Sequence, residues 1–83
     1  MNKEMMILMA TAVPSEKIVD NLKEAIEEWE INPSEENESK LTFFAHLLTM
    51  SFMTKGDIKK AMKVTSDMDK IEAVAKNIIN NDN

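Results

Sequence analysis

The sequence contains no cysteine and no arginine among its 83 residues. Without cysteine the chain forms neither disulfide bonds nor a thiolate metal site, and a reducing intracellular location is compatible with this composition. Arginine supplies the planar guanidinium that binds guanine or phosphate through paired hydrogen bonds, so its absence disfavours sequence-specific nucleic-acid recognition. The formal net charge of −5 disfavours binding to nucleic acid for the same electrostatic reason.

Glycine is also scarce, with Gly56 as the single example. Phosphate-binding loops and oxyanion holes are usually built on glycine-rich turns, so the sequence predicts no nucleotide loop and no acyl-transfer site. His46, the one histidine, shares a polar strip of the third predicted helix with Glu38 and Thr42. A triad is conceivable from these residue types, but side chains on one helix face usually meet solvent together. We therefore expect no enzyme activity, no bound metal and no cofactor.

The strict alternation of apolar and polar residues that marks a half-buried strand is missing, and helix-forming residues dominate. The sequence therefore predicts an all-α fold, a compact domain of four or five helices over residues 1–83. Pro14 ends the first helix, because proline disfavours the α conformation of the residue before it. The predicted helices cover residues 3–12, 14–30, 33–54, 57–64 and 66–80.

The boundary between the last two predicted helices depends on two apolar stripes that point in different directions. Ile58, Ala61 and Met62 form the first stripe. The second stripe lies about 110° away on a continuous helix and consists of Met68, Ile71, Val74, Ala75, Ile78 and Ile79. One straight helix cannot bury both stripes, so we expect a break near Thr65, with Ser66 capping the final helix.

Residues 41–53 contain the strongest structural signal in the chain. Nine of these thirteen residues are apolar. On a helix they spread over roughly 220°, about twice the width of a usual apolar stripe. A helix of this kind must be covered on most sides, so the segment 33–54 is expected to be the central helix of the domain. Small chains bury only about 60 to 65% of their unfolded surface, which makes association with another chain a useful source of stability.

The N-terminal segment 5–13 is apolar apart from Thr11. It lacks the positive flank of a secretory signal and is too short to span a bilayer, so we expect a cytoplasmic protein without membrane contact. Because a small domain covers only one side of such a helix, the other side is expected to mediate self-association, with a dimer favoured. The candidate interface residues are Met5, Met6, Leu8, Met9, Phe43 and Met50.

Charge is distributed unevenly along the chain. Residues 14–40 carry nine acids and three lysines, a net charge of −6, whereas residues 55–63 carry four lysines and one aspartate, a net charge of +3. Each group is a candidate binding surface, and simple solvation of charged helix faces explains each group too. The candidate acidic face for a protein partner consists of Asp20, Glu24, Glu27 and Glu28. The candidate basic patch consists of Lys55, Lys59, Lys60 and Lys63.

These patterns together predict a non-enzymatic protein-protein interaction module, a small acidic self-associating regulator or inhibitor that binds another protein. Lysine, asparagine and isoleucine occupy 26 of the 83 positions, which is typical of AT-rich coding sequences and favours a bacterial or phage origin. The alternative is a small nucleic-acid or nucleotide binder that uses the basic patch.

Overall fold

Four α-helices form the part of the chain that the structure describes. The computed structural model describes residues 2–81, except for the side chains of residues 72 and 74–81. In it, α1 is Lys3–Ala12, α2 is Ser15–Ile31, α3 is Glu35–Thr54 and α4 is Ile58–Asn81. Within residues 2–81 there is no strand, so the all-α prediction is confirmed, with four helices. In the same part of the chain, no helix is both long and apolar enough to cross a membrane.

Short polar side chains and one glycine fix the ends of the helices around α3. Ser34 caps the start of α3, because its hydroxyl oxygen accepts a hydrogen bond from the backbone N–H of Asn37 at 3.2 Å. Gly56 has a φ of +79°, the left-handed conformation in which a helix can end without strain on a side chain. Asp57 then caps α4 by accepting a hydrogen bond from the backbone N–H of Lys60 at 3.4 Å.

Helix α3 lies at the centre of the fold, and each of the other three helices packs against it. Its buried apolar side chains belong to two clusters. The cluster between α2, α3 and α4 consists of Ala25, Trp29, Leu41, Ala45 and Met68. The cluster between α1, α2 and α3, which we call the Leu47 cluster, consists of Ala10, Ile18, Leu47 and Leu48. Since α3 contributes to both clusters, it is the central helix that the sequence predicts.

The predicted break near Thr65 is wrong, because α4 is one continuous helix, Ile58–Asn81. The Thr65 hydroxyl donates a hydrogen bond to the carbonyl oxygen of Ala61, one turn earlier, at 3.2 Å. Hydroxyl side chains often bond to their own helix in this way, so Thr65 needs no other partner to remain helical. Ser66 is an exposed residue inside the helix and caps nothing.

The conflict between the two apolar stripes of α4 is resolved by exposure. Ala61 and Met68 are buried, while Ile58 and Met62 are 61% and 67% exposed. The helix therefore remains continuous and leaves part of its first stripe on the surface. The side chains of four members of the second stripe lie outside the described residues: Val74, Ala75, Ile78 and Ile79.

Replacement of Leu47 by alanine is expected to lower the free energy of unfolding by about 2 to 5 kcal/mol, because it leaves a cavity in a closed cluster. The Leu47 side chain is only 2% exposed. Urea denaturation, monitored through the fluorescence of Trp29, the single tryptophan, measures this change in the free energy of unfolding. The control is Ile31→Ala at a position that is 86% exposed, where the change should stay within about 0.5 kcal/mol. Equal effects of the two variants would contradict the packing of α3 described above.

Candidate protein-interaction surfaces

Helix α1 has one packed side and one exposed side. Ala10 is fully buried, and Met9 packs beside it against the Leu47 cluster. Met5 and Leu8 lie about one turn apart on the opposite side and are 52% and 67% exposed, and Ile7, which is 42% exposed, lies between Leu8 and Ala10 around the helix. The charged residues of α1 lie only at its first two positions. We call the exposed set of Met5, Ile7 and Leu8 the α1 face.

The structure divides the six predicted self-association residues into two groups. Met5 and Leu8 belong to the α1 face. The other four are partly buried: Met6, Met9, Phe43 and Met50. Three of these four pack against the Leu47 cluster and so help to hold α1 on α3. Ile7 is not among the predicted interface residues, although it lies in the same uncharged segment.

The acidic face of α2 remains largely exposed. Asp20, Glu24 and Glu27 have exposed side chains. Glu28 instead forms an ion pair with Lys40 of α3, with Nζ and Oε2 2.9 Å apart. The hydrogen bond and the negative charge of Glu28 raise the pKa of Lys40 above its usual value. Glu28 therefore connects α2 to α3, and three carboxylates remain for contact with solvent or a partner.

The four lysines of the basic patch do not share one role. Lys60 pairs with Asp57 of the same helix end, with Nζ and Oδ2 3.4 Å apart. Lys55 donates hydrogen bonds to the turn between α1 and α2. Lys59 and Lys63 are exposed and make no ion pair with any residue that the structure describes. Phosphate binding draws on several cations that face the ligand together, so this arrangement adds no support to the nucleic-acid alternative.

A polar cluster that the sequence did not reveal lies where the α1–α2 turn meets the end of α3. The Lys55 ammonium donates hydrogen bonds to the hydroxyl oxygens of Ser15 and Ser51, at 2.8 Å and 2.9 Å. It also donates to the carbonyl oxygen of Val13 at 3.2 Å. The two serine hydroxyls lie 2.7 Å apart, and Ser51 is fully buried. We call this cluster the lysine clamp.

The contacts of the lysine clamp suit a structural role. A lysine that activates a serine nucleophile must offer a free lone pair as a base. An ammonium has three donors and no acceptor, and the three acceptors of the clamp use all three N–H bonds. Val13 and Lys55 end α1 and α3, and the carbonyl ends of helices favour a nearby cation. The clamp therefore holds α1 and α2 to the end of α3.

His46 is exposed and lies in a hollow that Asp69 of α4 also lines. The two side chains form no ion pair, and no third acidic or histidine side chain completes a metal site among the residues that the structure describes. Thr49, which also lines this hollow, donates its hydroxyl hydrogen to the Ala45 carbonyl oxygen at 3.0 Å. The polar strip of α3 thus forms the floor of this open hollow.

Replacement of Lys55 by methionine should lower the melting temperature by about 4 to 8 °C, because loss of the clamp costs on the order of 1 kcal/mol in a domain of this size. Methionine keeps most of the unbranched side chain and removes the ammonium with its hydrogen bonds and charge. Lys59→Met makes the same change at an exposed position outside the clamp, and circular dichroism melting curves of the two variants give the comparison. A Lys55 variant as stable as the Lys59 variant would show that the clamp contributes nothing.

Comparisons of this chain with protein-family models, with curated proteins and with solved structures gave no match. The surfaces described above are therefore interpreted from their own geometry and charge. The candidate binding surfaces are the α1 face, the acidic face of α2 and the hollows beside α3.

Proposed function

We propose that this protein is a non-enzymatic protein-interaction module that associates with a second copy of itself through the α1 face. In this proposal it is a small cytoplasmic regulator or inhibitor that acts by binding another protein. The observation that most supports the proposal is the exposure of Met5, Ile7 and Leu8, on a helix whose opposite side is packed. Apolar side chains grouped on a protein surface commonly mark binding sites.

A second copy is a suitable occupant of the α1 face for an electrostatic reason. Two copies with a net charge of −5 each repel one another, so association is easiest where acidic side chains are absent. Glu4 lies one turn before Leu8, but α1 carries no charge after Glu4, and Ala12, one turn beyond Leu8, is small and exposed. Two α1 helices related by a two-fold axis place the same apolar residues against each other, as in most homodimers.

The size of the α1 face indicates a weak dimer. A standard stable interface buries about 800 Å² on each partner, and three partly exposed side chains supply less than that. We therefore expect a dissociation constant in the micromolar range, about −8 kcal/mol. A dimer of this strength forms or dissociates as the protein concentration changes, which suits a regulatory role.

The acidic face of α2 offers a separate surface for the second protein in this proposal. The exposed carboxylates of Asp20, Glu24 and Glu27 lie on α2, which does not carry the α1 face. Negative charge of this kind accelerates encounter with a positively charged protein and helps to select it. In this proposal, self-association through α1 does not use these carboxylates.

Replacement of Leu8 by glutamate should abolish self-association, because it places two negative charges at the centre of the symmetric contact. Sedimentation equilibrium over roughly 1 to 200 µM, a range around the expected dissociation constant, measures the change. We expect the unmodified protein to shift from monomer to dimer over this range and the variant to remain monomeric.

The matched control is Ile31→Glu, which makes the same kind of change at an apolar side chain that is 86% exposed on α2. This variant should dimerise normally. A strictly monomeric unmodified protein at the highest concentration would contradict the proposal, and so would equal loss of the dimer in both variants. Circular dichroism establishes that both variants keep their helices.

A further inference from the structure

One side of α3 remains open between α1 and α4, and three hollows lie in a row along it. Thr42 and His46 line both the first hollow and the second. Thr49, Thr65 and Asp69 line both the second hollow and the third. Because neighbouring hollows share residues, they lie side by side along α3, and we call this row of hollows the α3 groove.

The dimensions of the α3 groove match those of a helix. Its residues on α3 extend from Glu35 to Met53, a distance of about 27 Å at 1.5 Å per residue, or five helical turns. The two end hollows have volumes of about 610 and 340 Å³, and the middle hollow is narrower, at about 80 Å³. A helix laid along α3 would place its larger side chains in the two end hollows.

Apolar side chains line part of both ends of the α3 groove. Met6 and Phe43 line the first hollow. Met53, Ile58 and Met62 line the third, and their side chains are 60%, 61% and 67% exposed. Methionine side chains are flexible and polarisable, and they are common on surfaces that accept helices of varied sequence. The exposed part of the first α4 stripe therefore lies where it can contact a bound helix.

The charged side chains of the α3 groove all have one sign. Glu35 and Glu38 line the first hollow, and Asp69 lines the second and third. Among the described residues that line the three hollows, none is a lysine. A ligand with positive charge along its edges would complement these carboxylates, and the overall charge of −5 would attract it.

We propose that the α3 groove binds an amphipathic helix of another protein, with apolar side chains on the side facing α3 and lysine or arginine side chains along its edges. Helices recognised in this way insert apolar residues at positions i, i+3, i+4 and i+7 into a groove. The bound helix would cover the one side of α3 that α1, α2 and α4 leave open. This site is separate from the α1 face, so loss of self-association would leave it intact.

A designed peptide tests the proposal directly. The probe is a fluorescein-labelled helical peptide of about 18 residues, or five turns. Its leucines repeat the i, i+3, i+4 and i+7 spacing along one side, and lysine occupies the other positions. Fluorescence anisotropy should show micromolar binding of this peptide and no binding of a second peptide in which glutamate replaces every lysine. Equal binding of the two peptides, or binding of neither, would overturn the proposal.

A charge-matched pair of variants separates groove binding from general attraction to an acidic protein. Asp69→Lys changes a groove residue, and Asp67→Lys makes the same charge change at an exposed position of α4 that lines none of the hollows. The Asp69 variant should bind the lysine peptide at least about tenfold more weakly, equivalent to roughly 1.4 kcal/mol, and the Asp67 variant should lose much less affinity. Equal losses would show that only the net charge matters.

The methionine methyl groups locate the bound peptide. In NMR spectra of protein labelled with ¹³C at these methyls, the signals of Met53, Met62 and Met6 should shift when the lysine peptide is added. The signals of Met9 and Met50, which pack on the Leu47 cluster, should shift less. Shifts confined to Met5 would overturn the proposal. Shifts of Met53 and Met62 with protein concentration alone would also overturn it, because they would identify a second copy as the occupant.

Discussion

Burial of the wide apolar arc of α3 is the constraint on which the other features of this fold depend. Leu41, Leu47 and Leu48 are each no more than 3% exposed, and burial of each such side chain contributes about 1.5 to 3 kcal/mol. Three helices pack around α3 to achieve this burial, and α1 can contribute only one of its sides. The exposed α1 face and the open α3 groove both follow, because three helices cannot enclose a central helix completely.

Much of the architecture could be predicted because it depends on local periodicity and on single turn residues. The breadth of apolar residues on α3 identified the central helix, and Pro14 and Gly56 marked the ends of α1 and α3. The prediction failed at Thr65, where it assumed that every apolar stripe must be buried. Proteins tolerate exposed apolar side chains, and exposure of Ile58 and Met62 allowed α4 to remain continuous.

The candidate surfaces were only partly predictable, because several depend on pairs of residues that are distant in sequence. A segment without charge was enough to predict an exposed side on α1. The lysine clamp joins Ser15 to Ser51 across 36 positions, and the Glu28–Lys40 pair removes one carboxylate from the predicted acidic face. The α3 groove combines the polar strip that the sequence showed on α3 with exposed residues of α4. The polar strip has a structural explanation, since among the described residues no helix covers this side of α3.

The central claim is that α3 holds the domain together while the other three helices pack around it. Amide hydrogen exchange measured by NMR tests this claim most directly, because the slowest amides mark the part that opens only when the whole domain unfolds. We expect the slowest exchange at residues 41–51 of α3, with faster exchange throughout α1. If the amides of α1 were the slowest and those of α3 exchanged as quickly as a peripheral helix, the claim would be contradicted.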